Sequence, residues 1–117
     1  MKVAIVGSRS AVAVDIAAHL HTRPSEIISG GAVGVDTLAA EYAQANGISL
    51  TVIKPDYDKY GRRAPHVRNR EMVMRADWVL AFWDGKSKGT ESSINQARRL
   101  GKHVEIVKLC AKQVVNV

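Results

Sequence analysis

The glycine-rich stretch from residue 29 to residue 36 has the residue types and spacing best suited to holding an anion. It reads Ser-Gly-Gly-Ala-Val-Gly-Val-Asp and connects an apolar run to an amphipathic pattern. Glycine lets the backbone take positive φ and approach a ligand, and a following helix offers unpaired N–H groups and the positive end of its dipole. The stretch therefore predicts a phosphate-binding turn. A tight turn without a ligand is the alternative, because the spacing matches neither G-x-G-x-x-G nor the P-loop pattern. The ligand-binding residues expected here are Ser29, Gly30, Gly31, Gly34 and Asp36.

Two more polar turns contain residues that suit phosphate. The first, residues 7–10, includes Arg9, whose guanidinium can recognise a phosphate or a base through several donors at once. The second, residues 84–90, could wrap a phosphate against the N-terminus of the next helix. Ordinary turn and capping chemistry is the alternative for both. The residues predicted to contact a ligand are Gly7, Ser8, Arg9, Ser87, Gly89 and Thr90.

Three carboxylates lie in or beside these turns. Asp36 could hydrogen-bond a ribose hydroxyl or serve in acid–base chemistry; the alternative is a favourable position near a helix N-terminus without further function. In an enzyme, Asp84 and Glu91 could activate water or stabilise an oxocarbenium-like transition state. The candidate catalytic residues are therefore Asp36, Asp84 and Glu91.

The region between residues 54 and 75 is the most basic part of the chain. Tyr57 and Tyr60 lie among its charges, and such rings can stack on bases while cations hold phosphates. A solvated basic loop is the alternative. Because residues two apart on a helix point to different faces, at most one arginine accompanies Asn69 at the site, and we assign Arg68.

Short runs rich in β-branched or aromatic residues alternate with helical patterns along the chain. The predicted strands are Lys2 to Val6, Glu26 to Ser29, Leu50 to Ile53, Trp78 to Trp83 and His103 to Leu109. The first two predicted helices rest on the shared faces of Ala13, Ile16, Ala17 and Leu20, and of Val35, Leu38, Ala39 and Tyr42, the latter helix ending at Asn46-Gly47. A third helix is predicted from about Pro65 to Arg75 and a fourth from about Thr90 to Leu100.

This alternation predicts an α/β fold, a Rossmann-like doubly wound parallel sheet of about five strands with helices on both faces, in three layers. Ligands of such sheets bind beyond the carboxyl ends of the strands, where the strand order reverses. Polar, glycine-bearing or basic segments follow four of the five predicted strands, whereas the turns at the opposite edge look ordinary. The sequence therefore predicts one site assembled from several loops.

Composition limits the partners. The net charge of +6 favours anionic partners. Without a long apolar run or a cleavable leader, we expect a cytoplasmic protein that makes no membrane contact. The length of 117 residues predicts a single domain, residues 1–117. The single cysteine, Cys110, and the four histidines lack metal-ligand spacing, so neither a metal nor a cofactor is expected.

Four of these segments, taken in order, resemble the SLOG superfamily of Rossmann-like domains. They are Gly7-Ser8-Arg9, Ser29 to Asp36, Arg68-Asn69-Arg70, and Ala81 to Thr90, and the resemblance spans residues 3 to about 107. The superfamily joins the DNA-processing protein A family, the LOG cytokinin-activating phosphoribohydrolases, and small stand-alone bacterial and phage domains of unassigned activity, to which the last motif is most similar. The resemblance implies a nucleotide or nucleotide-derived ligand.

The two better-known branches imply different activities. The LOG branch carries Gly-Gly-x-Gly-Thr-x-x-Glu, whose glutamate is catalytic. Here Ser93 occupies that position, while Glu91 directly follows Thr90 and would leave the helix in another direction. The DNA-processing branch, whose domain grips single-stranded DNA, has elements similar to residues 7–9, 29–36 and 68–70.

Three functions follow as hypotheses. The first is a binding or sensing module for a nucleotide or nucleotide-derived ligand. The alternatives are a nucleotide hydrolase that cleaves a glycosidic or related bond and a binder of single-stranded nucleic acid. We also expect a homodimer, because relatives are often dimers and the tail from Val114 to Val117 is apolar enough to extend the sheet or cover a partner, a frayed terminus being the alternative.

Overall fold

The protein is a single parallel β-sheet with helices on both faces, described for residues 1–114 in a computed structural model. The strands are β1 (Lys2–Gly7), β2 (Glu26–Ser29), β3 (Ser49–Val52), β4 (Trp78–Trp83) and β5 (His103–Lys108). The α-helices are α1 (Val35–Ala45), α2 (Tyr57–Tyr60), α3 (Ala64–Arg75) and α4 (Lys88–Arg99). Short 3-10 turns cover Ala17–His19, Gly61–Arg63 and Ala111–Gln113. The predicted Rossmann-like α/β fold is therefore confirmed.

The strand order is β3-β2-β1-β4-β5, and all neighbours are parallel. Residues of β1 alternate between the two faces of the sheet, because successive side chains of a strand point in opposite directions. Val3 and Ile5 join the core beneath α1, whereas Ala4 and Val6 join the core beneath α3 and α4. The sheet is thus buried on both faces, which explains the nearly continuous apolar runs of β1 and β4.

The first predicted helix, over residues 13–20, is wrong. Only a 3-10 turn at Ala17–His19 forms there, and Ile16 alone of the four predicted face residues is buried. Ala11 pairs with Val114 in an antiparallel bridge and Val12 donates its N–H to the carbonyl oxygen of Gln113, so the segment begins as extended chain. These tertiary contacts outweigh a periodicity that carries little intrinsic helix stability over so few residues.

The tail prediction covers residues that the structure describes only in part. Val114 contacts its own chain through the bridge to Ala11. Residues 115–117 lie outside the described residues. Within residues 1–114, no helix has the length and apolar character needed to cross a membrane.

Candidate functional site

A cleft of about 390 Å³ opens at the carboxyl ends of β1 and β4, the neighbouring strands between which the strand order reverses. This is the position at which open α/β sheets bind ligands. Two loops flank it directly: the β1 loop (residues 8–12) and the β4 loop (residues 84–87). The β2 loop (residues 30–34) and α3 close a third side. The cleft is lined by Val6, Gly7, Arg9, Ser10, Ala32, Asp36, Arg68, Asn69, Met72, Asp84, Ser87, Lys88, Gly89, Thr90 and Ser93.

Ser8 joins the loops beneath the cleft. Its hydroxyl accepts the N–H of Asp84 at 3.0 Å and lies 3.1 Å from Ser87 Oγ. Its carbonyl oxygen accepts the N–H groups of Val35 and Ala11. Ser8 is fully buried and does not line the cleft, so its structural role is to fix the loops relative to one another.

Asp84 shapes the β4 loop. One carboxylate oxygen accepts the N–H groups of Lys86 and Ser87, each at 2.8 Å. Burial raises the pKa of Asp84, but these two bonds and the hydroxyls of Ser87 and Ser8 outweigh it, and the net pKa lies below its usual value. The carboxylate is therefore ionised and engaged by its own loop.

The N-terminus of α4 faces the cleft without a side-chain cap. Ser87 is the N-cap residue, but its hydroxyl turns toward Ser8 and Asp84 and makes no capping bond. The first N–H groups of α4 are left for another acceptor. Thr90, in this first turn, is 4% exposed, lines the cleft and has no side-chain hydrogen bond to the described residues. The arrangement offers backbone amides and the Thr90 hydroxyl to an anion.

Two cations add positive charge to the cleft. Arg9 on the β1 loop and Lys88 at the start of α4 line the cleft, and both side chains are exposed. Within residues 1–114, neither forms an ion pair. Their charges are therefore available to a ligand.

A connected polar group of α3 and the β2 loop lines the cleft beside the N-terminus of α4. The Nη1 of Arg68 donates to the carbonyl oxygen of Gly30. The Nε of Arg68 donates to Asn69 Oδ1 at 2.8 Å, and Asn69 Nδ2 donates to the carbonyl oxygen of Gly89 at 3.4 Å. Arg68 thus ties the β2 loop to α3, and Asn69 ties α3 to α4. Two of the five N–H donors of Arg68 thus bond to the protein, and the others are left for a ligand of the cleft.

Asp36 lies beside this group and is 9% exposed. Its Oδ2 accepts the N–H of Ala32 at 3.1 Å. Burial raises the pKa of Asp36 above the usual 3.8, and this effect outweighs the N–H groups of Ala32 and Gly30 and the positive charge of Arg68, which lower it. Asp36 is the buried carboxylate of the cleft.

The predicted glycines serve the chain's own packing. Gly31 and Gly34 have positive φ, 74° and 78°, as predicted. A Cβ on Gly34 would lie 2.4 Å from the carbonyl oxygen of Ser8, and one on Gly30 would lie 2.7 Å from Arg68 Nη1. These glycines therefore allow other parts of the chain to approach the β2 loop closely. The sequence had predicted that they allow close approach to a ligand.

The structure brings most of the predicted ligand-binding residues to one cleft. Those that line it are Gly7, Arg9, Asp36, Arg68, Asn69, Ser87, Gly89 and Thr90. Those placed outside its lining are Ser8, Ser29, Gly30, Gly31 and Gly34. The Ser29 hydroxyl donates to the carbonyl oxygen of Asp36 and is buried. Among the candidate catalytic residues, Asp36 and Asp84 line the cleft, while Glu91 does not.

Sequence reasoning missed several lining residues that helix geometry could have found. Ser93 lies three positions after Thr90, and Met72 lies three positions after Asn69; both therefore share a helix face with a predicted residue. Ser10 and Lys88 were overlooked although they adjoin predicted residues.

The fold and the loop-built cleft define a Rossmann-like α/β protein with its candidate site at the topological switch point. The model of the YspA, cpYpsA-related SLOG family matches residues 1–60, half of the 117-residue chain, and the protein belongs to this family. The match includes the β1 and β2 loops but not the β4 loop. No curated protein and no solved structure gave a significant match.

Proposed function

We propose that the protein is a binding or sensing module for a nucleotide or nucleotide-derived ligand that occupies this cleft. One observation carries the proposal: Thr90, whose hydroxyl has no hydrogen bond to the described residues, lies in the uncapped first turn of α4 and lines the cleft. A ligand phosphate can accept hydrogen bonds from this hydroxyl and from the unpaired N–H groups of the same turn.

Different groups of the cleft lining suit different parts of such a ligand. A phosphate fits the amides at the N-terminus of α4 and the charges of Arg9 and Lys88. The sugar or base then faces the carboxylate of Asp36 and the amide of Asn69, above the apolar side chain of Met72. The volume of about 390 Å³ lies at the small end of the usual range for ligand pockets, which favours a compact ligand.

Binding is favoured over hydrolysis by the positions of the candidate catalytic carboxylates. Asp84 holds its own loop through Lys86 and Ser87, and Glu91 lies outside the cleft lining. Asp36 remains as the candidate base of a nucleotide hydrolase. Release of free base from a nucleoside monophosphate would establish that alternative.

The test is a thermal-shift screen of nucleoside monophosphates against the wild-type protein and Thr90→Val. Ligand at a hundred times its Kd stabilises the folded state by about 2.7 kcal/mol, so wild-type Tm rises. Valine removes the unpartnered hydroxyl at similar shape. We expect the ligand-free variant to be about as stable as the wild type, because the hydroxyl makes no hydrogen bond to the described residues, and to lose most of the shift.

Thr22→Val is the control, because Thr22 lies at the opposite edge of the sheet, before β2. It should keep the wild-type shift. Equal shifts in the wild type and Thr90→Val, or no shift with any nucleotide, would contradict the proposal.

Binding of single-stranded nucleic acid is a second candidate, favoured by the segment between β3 and α3. Tyr57 and Tyr60 are 60% and 39% exposed. Lys59, which lies 5.2 Å from the ring centroid of Tyr60, and Arg62 have no ion-pair partner within residues 1–114. Exposed rings among unpaired cations are the elements of a stacking platform for bases.

A further inference from the structure

The C-terminal segment, residues 109–114, returns from β5 to the β1 loop. Leu109 is buried and donates its N–H to the carbonyl oxygen of Trp83 at 2.9 Å. After the 3-10 turn, the carbonyl oxygen of Gln113 accepts the N–H of Val12 at 2.7 Å, and Val114 pairs with Ala11. The segment therefore connects the end of β4 to the exit of the β1 loop.

The turn inside this segment is held by its own hydrogen bonds. The N–H of Cys110 donates to the side-chain oxygen of Gln113, and the N–H of Gln113 donates back to the carbonyl oxygen of Cys110, both at 3.0 Å. Val114 also packs against the core beneath α1. The segment thus has a defined conformation of its own, so it can hold the β1 loop that it contacts in one position.

The β1 loop depends on this contact because no α-helix follows it. Its entry is fixed by Ser8, whose hydroxyl and carbonyl oxygen bond to two other elements. Its exit is held at Ala11 by the N–H that donates to the Ser8 carbonyl oxygen and by the bridge to Val114, and at Val12 by the C-terminal segment alone. Arg9 and Ser10, which line the cleft, lie between these two anchors. Because the side chain of Arg9 is exposed, its position is set by the backbone on either side.

We propose that residues 109–114 are a positioning element of the cleft: they hold the exit of the β1 loop so that Arg9 and Ser10 face the ligand. This inference rests on the proposed nucleotide function for its effect on affinity. The structural part of the proposal is that the C-terminal segment orders the β1 loop. This effect is measurable without any ligand.

The experiment compares Val12→Pro with Ala13→Pro. Proline at position 12 removes the N–H that donates to Gln113 and is compatible with the extended conformation of Ala11. Ala13 is exposed and its N–H has no hydrogen bond to the described residues, so it is the matched control. Hydrogen exchange of the β1-loop amides and the affinity for adenosine monophosphate are measured on both variants.

Val12→Pro is expected to speed exchange in the β1 loop while exchange in α1 and α4 stays unchanged, and to weaken binding about tenfold through the loss of one well-placed hydrogen bond. Ala13→Pro is expected to change neither. Removal of residues 111–117 should reproduce the effects of Val12→Pro.

The outcomes separate the two proposals. Unchanged β1-loop exchange in Val12→Pro, with nucleotide binding by the wild type intact, would overturn the positioning role. Faster exchange with unchanged affinity would overturn it as well. Faster exchange in a protein that binds no nucleotide even as wild type would contradict the proposed function and leave the contact between the segment and the loop established.

Discussion

Asp36 and Asp84 are two carboxylates of one cleft whose pKa values move in opposite directions. Burial dominates at Asp36 and raises its pKa, whereas hydrogen bonds from the β4 loop dominate at Asp84 and lower its pKa. A charge that lacks full compensation in the ligand-free protein is characteristic of a functional site. At the residue scale, Asp36 is therefore the carboxylate of the cleft that a ligand donor would stabilise most.

The raised pKa of Asp36 predicts a specific pH dependence. The folded state holds this proton to higher pH than the unfolded state does, so Asp36 lowers the free energy of unfolding as the pH rises through the interval above 3.8. Asp36→Asn removes that penalty and should raise Tm by a few degrees at pH 7, with the gain vanishing as the pH falls toward about 4.

Thermal unfolding measured across this pH range tests the prediction. Asp58→Asn, on the exposed surface of α2, is the control for the loss of one surface carboxylate. A loss of stability in Asp36→Asn at neutral pH would mean that the contacts of the ionised carboxylate outweigh its burial.

At the scale of elements, the β4 loop is built by one side chain. Asp84 accepts the N–H groups of Lys86 and Ser87 just before α4 begins. Asp84→Ala leaves both groups without an acceptor and should lower the free energy of unfolding by about 1–2 kcal/mol at pH 7. Because the folded pKa of Asp84 is lowered, its contribution is present above the unfolded value of 3.8 and is lost as the pH falls below it.

Denaturant unfolding at two pH values, together with nucleotide titration, measures both effects. Asp56→Ala is the matched control for Asp84→Ala, because Asp56 also accepts a backbone N–H, that of Lys59, and so caps the short helix α2. We expect Asp84→Ala to weaken nucleotide binding about tenfold and Asp56→Ala to leave it unchanged. Equal nucleotide affinities in the two variants would show that the β4 loop does not contribute to nucleotide binding.

Much of the element order follows from local patterns. The predicted bounds of β2 and β4 match the structure, and α1 begins at Val35 and ends at Ala45, just before the predicted Asn46-Gly47 stop. Buried parallel strands and capped helices leave strong local signals. The helix predicted over residues 13–20 fails because the bridge between Ala11 and Val114 joins distant parts of the chain.

The candidate site was predictable as a location more than as a set of contacts. The rule for parallel sheets places the polar loops at one edge, and Arg9, Asn69 and Thr90 do meet there. The roles within the loops depend on tertiary packing. Position 34 requires glycine because its backbone lies against that of Ser8. No local sequence pattern distinguishes this packing from close approach to a ligand.

For the whole molecule, the net charge of +6 is little compensated by internal pairing. Within residues 1–114, Arg75 is the one Lys or Arg that forms an ion pair, with Glu71 in the same helix. The remaining cations are distributed over the surface and raise the local concentration of anions. Charge alone therefore predicts weak polynucleotide binding that falls with added salt.

Two variants that each lose two cations distinguish non-specific polynucleotide binding from binding at a specific surface between β3 and α3. Under the proposed function, Arg62→Ala/Arg63→Ala and Arg98→Ala/Arg99→Ala should weaken binding of a fluorescent oligothymidylate equally, because each removes two exposed cations. Anisotropy titrations at several salt concentrations measure this. A selective loss in the first variant, with the log–log salt slope reduced by about 1.4, would instead support the single-stranded nucleic-acid candidate.

Because β1 and β4 are neighbours in the sheet but distant in sequence, the cleft between their ends forms only when the two strands pair. Ser8 and Asp84, bonded across the base of the cleft, are separated by 76 positions in the chain. A fragment restricted to residues 1–60 would retain the family signature yet lack α3, β4 and α4, and with them most of the pocket wall. The cleft is therefore complete only when strands distant in sequence have paired, so under the proposed function ligand binding during refolding would report the native topology.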